Sequence, residues 1–336
     1  MLEYINIKGT NLKSSRIALG TWAIGGWMWG GTDDAVSIRT IHAALDQGIN
    51  LIDTAPIYGQ GHSEEIVGEA LRQYGGRDGV ILATKVGIDW TSGRIERNST
   101  RQRILQELED SLRRLQTDYI DIYQVHWPDP LVPAEETAAI LRKLYEQGKI
   151  RAIGLSNHSP EEMTRFESVA PIHTIQPPYN LFEREIERDV LPYALGHDIT
   201  TLTYGALCRG LLSGTMHVDR QFSSDDMRKT SDPKFQQSHF AEYLDAANKL
   251  DAYAREHFGK RGIHLAVRWL LDQPGVGIAL WGARRPEQLT PINEVSGWSL
   301  TKGDFVAIDA ILRESIRNPV GPEFMAPPAR LIRRVA

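Results

Sequence analysis

Ile49-Asn50-Leu51-Ile52-Asp53 is a short apolar run that stops on a carboxylate, and the same pattern recurs twice downstream. Val80-Ile81-Leu82-Ala83-Thr84-Lys85 stops on an ammonium, and Tyr119-Ile120-Asp121-Ile122-Tyr123-Gln124-Val125-His126 stops on an imidazole. Tyr58 follows the first run in a short loop. Short β-branched runs of this kind read as strands. In a parallel barrel the carboxyl ends of the strands carry the loops on which reactive groups from distant parts of the chain converge. Asp53, Tyr58, Lys85 and His126 are therefore candidate active-site residues.

Eight such runs occur, at 16–20, 49–53, 80–85, 119–126, 150–156, 173–177, 199–204 and 277–281. Amphipathic stretches at 35–47, 63–74, 100–115, 135–147 and 184–195 separate several of them, which is the rhythm of βα units. A chain of 336 residues fits two ordinary domains or one large barrel. Eight runs favour the α/β class and a closed (β/α)8 TIM barrel. With no linker, low-complexity tract or strong internal repeat, one domain over 1–336 is the simplest division. A β-hairpin is expected around Gly9-Thr10-Asn11, ahead of the barrel. Ser63-Glu64-Glu65-Ile66 and Ser159-Pro160-Glu161-Glu162 each set a hydroxyl before an acidic turn, as helix N-caps do. Residues 223–238 form the clearest long loop, and the proline-rich stretch 318–328 is expected as a C-terminal loop over the rim.

Composition narrows the classes of function. Hydrophobic content of 41 % and charged content of 24 % are those of a globular protein, and a net charge of −5 offers no basic footprint for nucleic acid. No apolar run is long enough to span a bilayer, and the amino terminus lacks a signal-peptide pattern. The single cysteine, Cys208, forbids an intramolecular disulfide and fits a reducing cytoplasm. Neither nucleic acid nor membrane is expected as a partner. The ten histidines show no paired ligand spacing, so no metal site is expected.

Three blocks in order, Asn50-Leu51-Ile52-Asp53-Thr54-Ala55-Pro56-Ile57-Tyr58-Gly59, Thr84-Lys85, and Asp121-Ile122-Tyr123-Gln124-Val125-His126-Trp127-Pro128, strongly resemble the aldo-keto reductase family. The resemblance runs from Leu19-Gly20-Thr21-Trp22 to Gly282-Ala283-Arg284. It implies a barrel that binds a nicotinamide cofactor without a Rossmann domain.

The chemistry of these residues agrees. Reduction of a carbonyl needs hydride at carbon and a proton at oxygen, and a tyrosine with a pKa near ~10 needs help to exchange that proton at neutral pH. An ammonium at Lys85 stabilises tyrosinate and is expected to lower the pKa of Tyr58, while Asp53 holds the lysine. His126 is then the donor that orients the carbonyl oxygen. Taken singly, Lys85 and Asp53 also fit a structural ion pair, and His126 a satisfied buried histidine.

By the same resemblance, Ser156, Asn157 and Gln176 bind the nicotinamide carboxamide, whose donor and acceptor atoms need complementary partners, and Tyr204 stacks on the ring. Gly205, Ala206, Leu207, Arg209, Gly210 and Leu211 form a pyrophosphate loop in which glycine permits close backbone approach and Arg209 offers charge. Gly20, Thr21, Trp22 and Asp53 are further residues that the resemblance implies for cofactor binding. Gly282, Arg284 and Gln288 belong to the segment for the adenosine end, where a guanidinium at Arg284 favours the 2′-phosphate of NADPH. Glu287 offers the alternative of accepting from a ribose hydroxyl. Thr290-Pro291-Ile292-Asn293 departs from the family pattern.

Six of the eight tryptophans, at 22, 27, 29, 90, 127 and 281, fall at or just past strand ends. Trp22, Trp29, Trp90 and Trp127 are the expected walls of an aromatic substrate pocket. The block from Tyr204 to Gly214 looks most like bacterial enzymes of broad specificity, which implies small aldehydes, ketones, sugars or polyols such as glyceraldehyde and glycerol. Two other functions stay open: a barrel aldolase using Lys85 as a Schiff base, and a nicotinamide-binding regulatory module such as the β subunits of potassium channels.

Overall fold

The structure is a computed structural model that describes residues 2–330. It opens with a hairpin, β1 (Tyr4–Asn6) and β2 (Lys13–Ser15), turning through Gly9 as expected. Strands β3 (Ile17–Gly20), β4 (Leu51–Asp53), β5 (Ile81–Val86), a small hairpin β6 (Ile88–Asp89) with β7 (Glu96–Arg97), then β8 (Ile122–Val125), β9 (Ile153–Ser156), β10 (Thr174–Gln176), β11 (Thr200–Thr203) and β12 (Ile278–Gly282) follow. Eight of them close a barrel in the order β3-β4-β5-β8-β9-β10-β11-β12, every pair parallel, with β12 returning to β3 through Leu280↔Ala18 and Trp281↔Leu19. All eight barrel strands fall within the runs read from sequence, apart from one- or two-residue ends. This is the (β/α)8 barrel.

Helices α1 (Asp34–Asp46), α2 (His62–Tyr74), α3 (Arg101–Leu115), α4 (Ala134–Glu146), α5 (Pro160–Glu167), α6 (Val190–Gly196), α7 (Met227–Thr230), α8 (Gln237–Phe258), α9 (Gly262–Asp272) and α10 (Lys302–Ser315) are the α-helices among the described residues. None is long and apolar enough to cross a membrane.

Strand alternation sorts the core into two populations. Ala18, Leu51, Ile81, Ala83, Ile122, Ala152, Leu202 and Ile278 point inward and pack with Ile7 of the hairpin, which plugs the amino-terminal end of the barrel. Their neighbours Leu19, Ile52, Leu82, Tyr123, Ile153 and Ile175 point outward into the larger core beneath the helices. The period of two carries the same choice to the strand ends. If Leu51 and Ile81 face inward, so do Asp53 and Lys85; if Ile122 does, so do Gln124 and His126.

Three local expectations are corrected. Ser63 is not a cap: α2 starts earlier, after Gly61 at φ +104°, and buried Ser63 Oγ instead bonds to Thr21 Oγ1 at 2.9 Å and Thr54 Oγ1 at 3.0 Å. Ser159 does form the capping box, with Glu162. The stretch at 184–195 breaks into a 3-10 turn, Glu185–Glu187, and α6, because Asp189 caps a new start at Val190. Residues 223–238 are not a featureless loop; they hold α7, the turn Pro233–Phe235 and the start of α8, pinned by Asp226 on Arg228.

Candidate active site

At the carboxyl end of the barrel, Lys85 Nζ donates to three acceptors: Asp53 Oδ2 at 2.7 Å, the Thr54 carbonyl at 2.9 Å and Tyr58 Oη at 3.2 Å. Three N–H groups on an ammonium are thereby satisfied. Asp53 and Lys85 are shut off from solvent, whereas Tyr58 and His126 are partly exposed at the rim. The His126 ring meets the Tyr58 ring edge-on, 5.9 Å between centroids. The four residues singled out from sequence thus come together in one place.

The electrostatics differ from the sequence expectation in one respect. Burial, reinforced by the Asp53 carboxylate, pushes the Tyr58 phenol well above its ordinary range, so the expected lowering by Lys85 is not the net result. Tyr58 is a protonated phenol at neutral pH. Burial also lowers Lys85, against the pull of Asp53. Burial and the Lys85 charge hold His126 well below its usual value, leaving a neutral imidazole.

Beside this cluster, Ser156 Oγ donates to the Gln176 carbonyl at 2.8 Å, Asn157 Nδ2 donates to Ser156 Oγ and to the His126 carbonyl, and Tyr204 Oη donates to Asn157 Oδ1 at 2.9 Å. Asn157 sits at φ +61°, which turns its amide toward these partners. Gln176 Nε2 donates to Asp53 Oδ1 at 2.7 Å. Among the described residues Gln176 Oε1 has no bonded partner and Asn157 Oδ1 retains a lone pair, so the group presents acceptors suited to a carboxamide NH2. That set of acceptors fits the NH2 of a nicotinamide carboxamide. Gln124, not singled out from sequence as a site residue, belongs to the same network through Asp53 Oδ1 at 3.2 Å. Its inward position, two residues before His126, was the signal available.

The loop after β11 makes a left-handed stretch at Cys208 (φ 45°), Arg209 (φ 52°) and Gly210 (φ 98°), with Gly205 at φ 74°. Arg209 does not offer free charge. Its guanidinium is buried, bonded to both Glu183 oxygens and, at 2.7 Å, to Asp232 Oδ2, while Lys234 also holds Glu183 at 2.8 Å. Ala206 and Leu211 are buried, so their side chains are not open to a ligand, and Leu207 is half-buried. Thr21 is likewise enclosed, its Oγ1 donating to the Asp53 carbonyl. Gly20 ends β3 beside it.

Gly282 is exposed at the end of β12. Arg284 Nη1 donates to the Trp29 carbonyl at 2.7 Å and the Gly31 carbonyl at 3.1 Å, and its charge feels Arg228, Arg285 and Arg220 together with the opposing carboxylate of Asp226. Gln288 Oε1 accepts from the Arg284 and Arg285 amides, so its carbonyl shapes this turn instead of lying free for a ligand.

Trp22 stacks on Tyr58 at 6.0 Å and meets Trp29 edge-on at 5.4 Å. On the other side Trp90 and Trp127 pack with Tyr58, Ile57 and Ile88. Trp281 is instead core, and Trp27 is exposed. The segment 318–328 runs from Tyr243, which accepts the Val320 amide, to Arg97, whose side chain and amide bond to the carbonyls of Pro327 and Pro328. It therefore links helix α8 to strand β7 of the small hairpin that follows β5.

Sequence and structure comparisons find relatives of the whole chain. The profile of the Aldo/keto reductase family matches residues 16–313. The chain is 62 % identical to the aldo-keto reductase YhdN of Bacillus subtilis (strain 168), covering 98 % of this chain and 99 % of that protein. It is 35 % identical to the NADH-specific methylglyoxal reductase of Escherichia coli (strain K12), covering 86 % of this chain and 91 % of that protein. Among solved structures, the glycerol dehydrogenase AKR11B4 from Gluconobacter oxydans is similar with a TM-score of 0.86 and 54 % identity, over 96 % of this chain and 99 % of that one.

Proposed function

Because the chain belongs to the aldo/keto reductase family, we propose that it interconverts small carbonyl compounds and alcohols with NADP(H), using Tyr58 as the acid–base residue. The observation that carries this reading is the three-way donation of Lys85 to Asp53, Thr54 and Tyr58. A bound nicotinamide supplies hydride for the carbonyl carbon. The chain's own residues handle the oxygen.

With Lys85 donating to its oxygen, Tyr58 keeps its own proton for the substrate; the ammonium then stabilises the tyrosinate left behind. Asp53 holds the ammonium in place. Neutral His126 donates a second hydrogen bond to the same carbonyl oxygen and fixes the substrate's approach. The rings of Trp22, Trp29, Trp90 and Trp127 exclude water around the reacting carbon. The engagement of the Lys85 N–H groups argues against a Schiff base, which needs a free neutral amine.

Ser156, Asn157, Gln176 and Tyr204 would hold the nicotinamide, and the left-handed loop at 205–211 the pyrophosphate through its backbone. Preference for NADPH rests on Arg284 and the arginines around it. The Escherichia coli relative named as NADH-specific makes this the finer part of the proposal. Glyceraldehyde and glycerol are the first substrates to try, since a structural relative is a glycerol dehydrogenase. The single, buried Cys208 suits a reducing cytoplasm.

The test follows loss of NADPH absorbance with a panel of small aldehydes, for the native chain and Tyr58→Phe at matched folding. Turnover reduced by roughly 10²–10⁴ in the variant is expected; equal turnover would remove Tyr58 from the mechanism.

A further inference from the structure

Asp53 is a junction between the two halves of the site. Its Oδ2 accepts from Lys85, while its Oδ1 accepts from Gln176 Nε2 at 2.7 Å and Gln124 Nε2 at 3.2 Å. A carboxylate only accepts, so the NH2 ends of both glutamines face it. Gln124 Oε1 then accepts the second N–H of Gln176, at 3.2 Å, and closes a triangle. Both N–H groups of Gln176 are consumed on the protein side, and its Oε1 is the atom left for a ligand.

Gln124 is completely buried, and the barrel interior is shaped around it. A Cβ at Gly154, on the neighbouring strand, would lie 2.6 Å from Gln124 Cγ and 2.5 Å from Thr174 Oγ1. Such a distance is not tolerated without displacement, so the absence of a side chain at 154 is what admits Gln124. Nothing else in the triangle restrains the second N–H of Gln176; without Gln124 the amide is held by its single bond to Asp53 alone.

We propose that Gln124 is a positioning residue that fixes the Gln176 amide with its carbonyl outward, and so selects cofactors whose ring carries an NH2-bearing carboxamide. The proposal rests on the nicotinamide-binding reading above. Gln124 does not itself touch the cofactor; it acts through Gln176 and Asp53.

Equilibrium binding tests this by protein fluorescence quenching, with NADP+ and its 3-acetylpyridine analogue, which keeps the ring carbonyl and lacks the NH2. One net hydrogen bond corresponds to a preference of about five- to tenfold for NADP+ in the native chain. Gln124→Met, of similar volume, is expected to bring the ratio below about twofold, whereas general damage to the site would weaken both ligands alike. Gln124→Glu, whose carboxyl held neutral beside Asp53 can both donate to it and accept from Gln176, is expected to retain the ratio. Should Gln124→Met not fold, Gly154→Ala carries the same test, since it displaces Gln124 and removes no polar group. An unchanged ratio in Gln124→Met, or equal affinities in the native chain, would overturn the proposal and leave the cofactor reading intact. A native chain that binds neither compound would instead overturn the cofactor reading, and this inference with it.

Discussion

Lys85 Nζ lies 2.7 Å from Asp53 Oδ2 in a space from which both side chains exclude water. A buried pair broken on one side leaves an uncompensated charge, and such losses run to about 3–5 kcal/mol. Lys85→Met is expected to lose stability of that order in urea titration. The double variant Lys85→Met/Asp53→Asn should recover much of the stability and none of the turnover, which separates the pair's structural part from its chemical part.

Gly25 touches the active site without any side chain. A Cβ there would lie 2.6 Å from the Tyr58 carbonyl carbon and 2.8 Å from the Gly59 amide. Gly25→Ala must therefore move the loop that carries Tyr58. A displacement of about 1 Å can cost ~10²-fold in rate, so turnover is expected to fall more than about tenfold while NADP+ affinity, measured by fluorescence, stays within about twofold.

Glu183 gives the fold an acid-sensitive point. Burial alone would raise its pKa, but Arg209 and Lys234 hold it at about 2, below its ordinary 4.5. A depressed acid stabilises the fold fully above 4.5, and that contribution disappears as pH falls toward 2. Glu183→Gln is expected to lower stability at pH 7 and to flatten the fall between those values, as read by denaturant unfolding across pH.

Glu107 works in the opposite sense. Burial raises it from 4.5 to about 7, against Arg103 and the Gly87 amide. The folded state keeps a proton that the unfolded chain releases, so this group's contribution declines as pH rises from 4.5 to 7. Glu107→Gln should remove that decline; an unaltered slope of unfolding free energy over this window would contradict the assignment.

Arg284 is the test of cofactor choice. Arg284→Ala is expected to weaken NADPH binding by roughly tenfold or more, the scale of a charged hydrogen bond, and to leave NADH nearly unchanged. Equal losses for both cofactors would make Arg284 a support for the Trp29 loop, whose carbonyls it already holds.

The sequence by itself determined the barrel and the meeting of Asp53, Tyr58, Lys85 and His126. Strands alternate with a period of two, and a parallel barrel sends every strand's carboxyl end to one rim, so the residue type at the end of each run states what reaches the site. Gln124 was legible by that rule too, since it shares the inward face with His126. Tertiary structure alone decided the rest. Arg209 reads as a phosphate ligand until the fold brings Glu183 and Asp232 against it. Ser63 reads as a cap until Gly61, able to take φ +104°, starts the helix earlier and leaves that hydroxyl for Thr21 and Thr54. Tyr58 reads as acidified by Lys85, yet its protonation follows burial and the nearby Asp53 carboxylate. Charges, caps and pKa values depend on which groups come within a few ångströms and how much water stays between them, and those distances are set between residues that lie far apart in the chain.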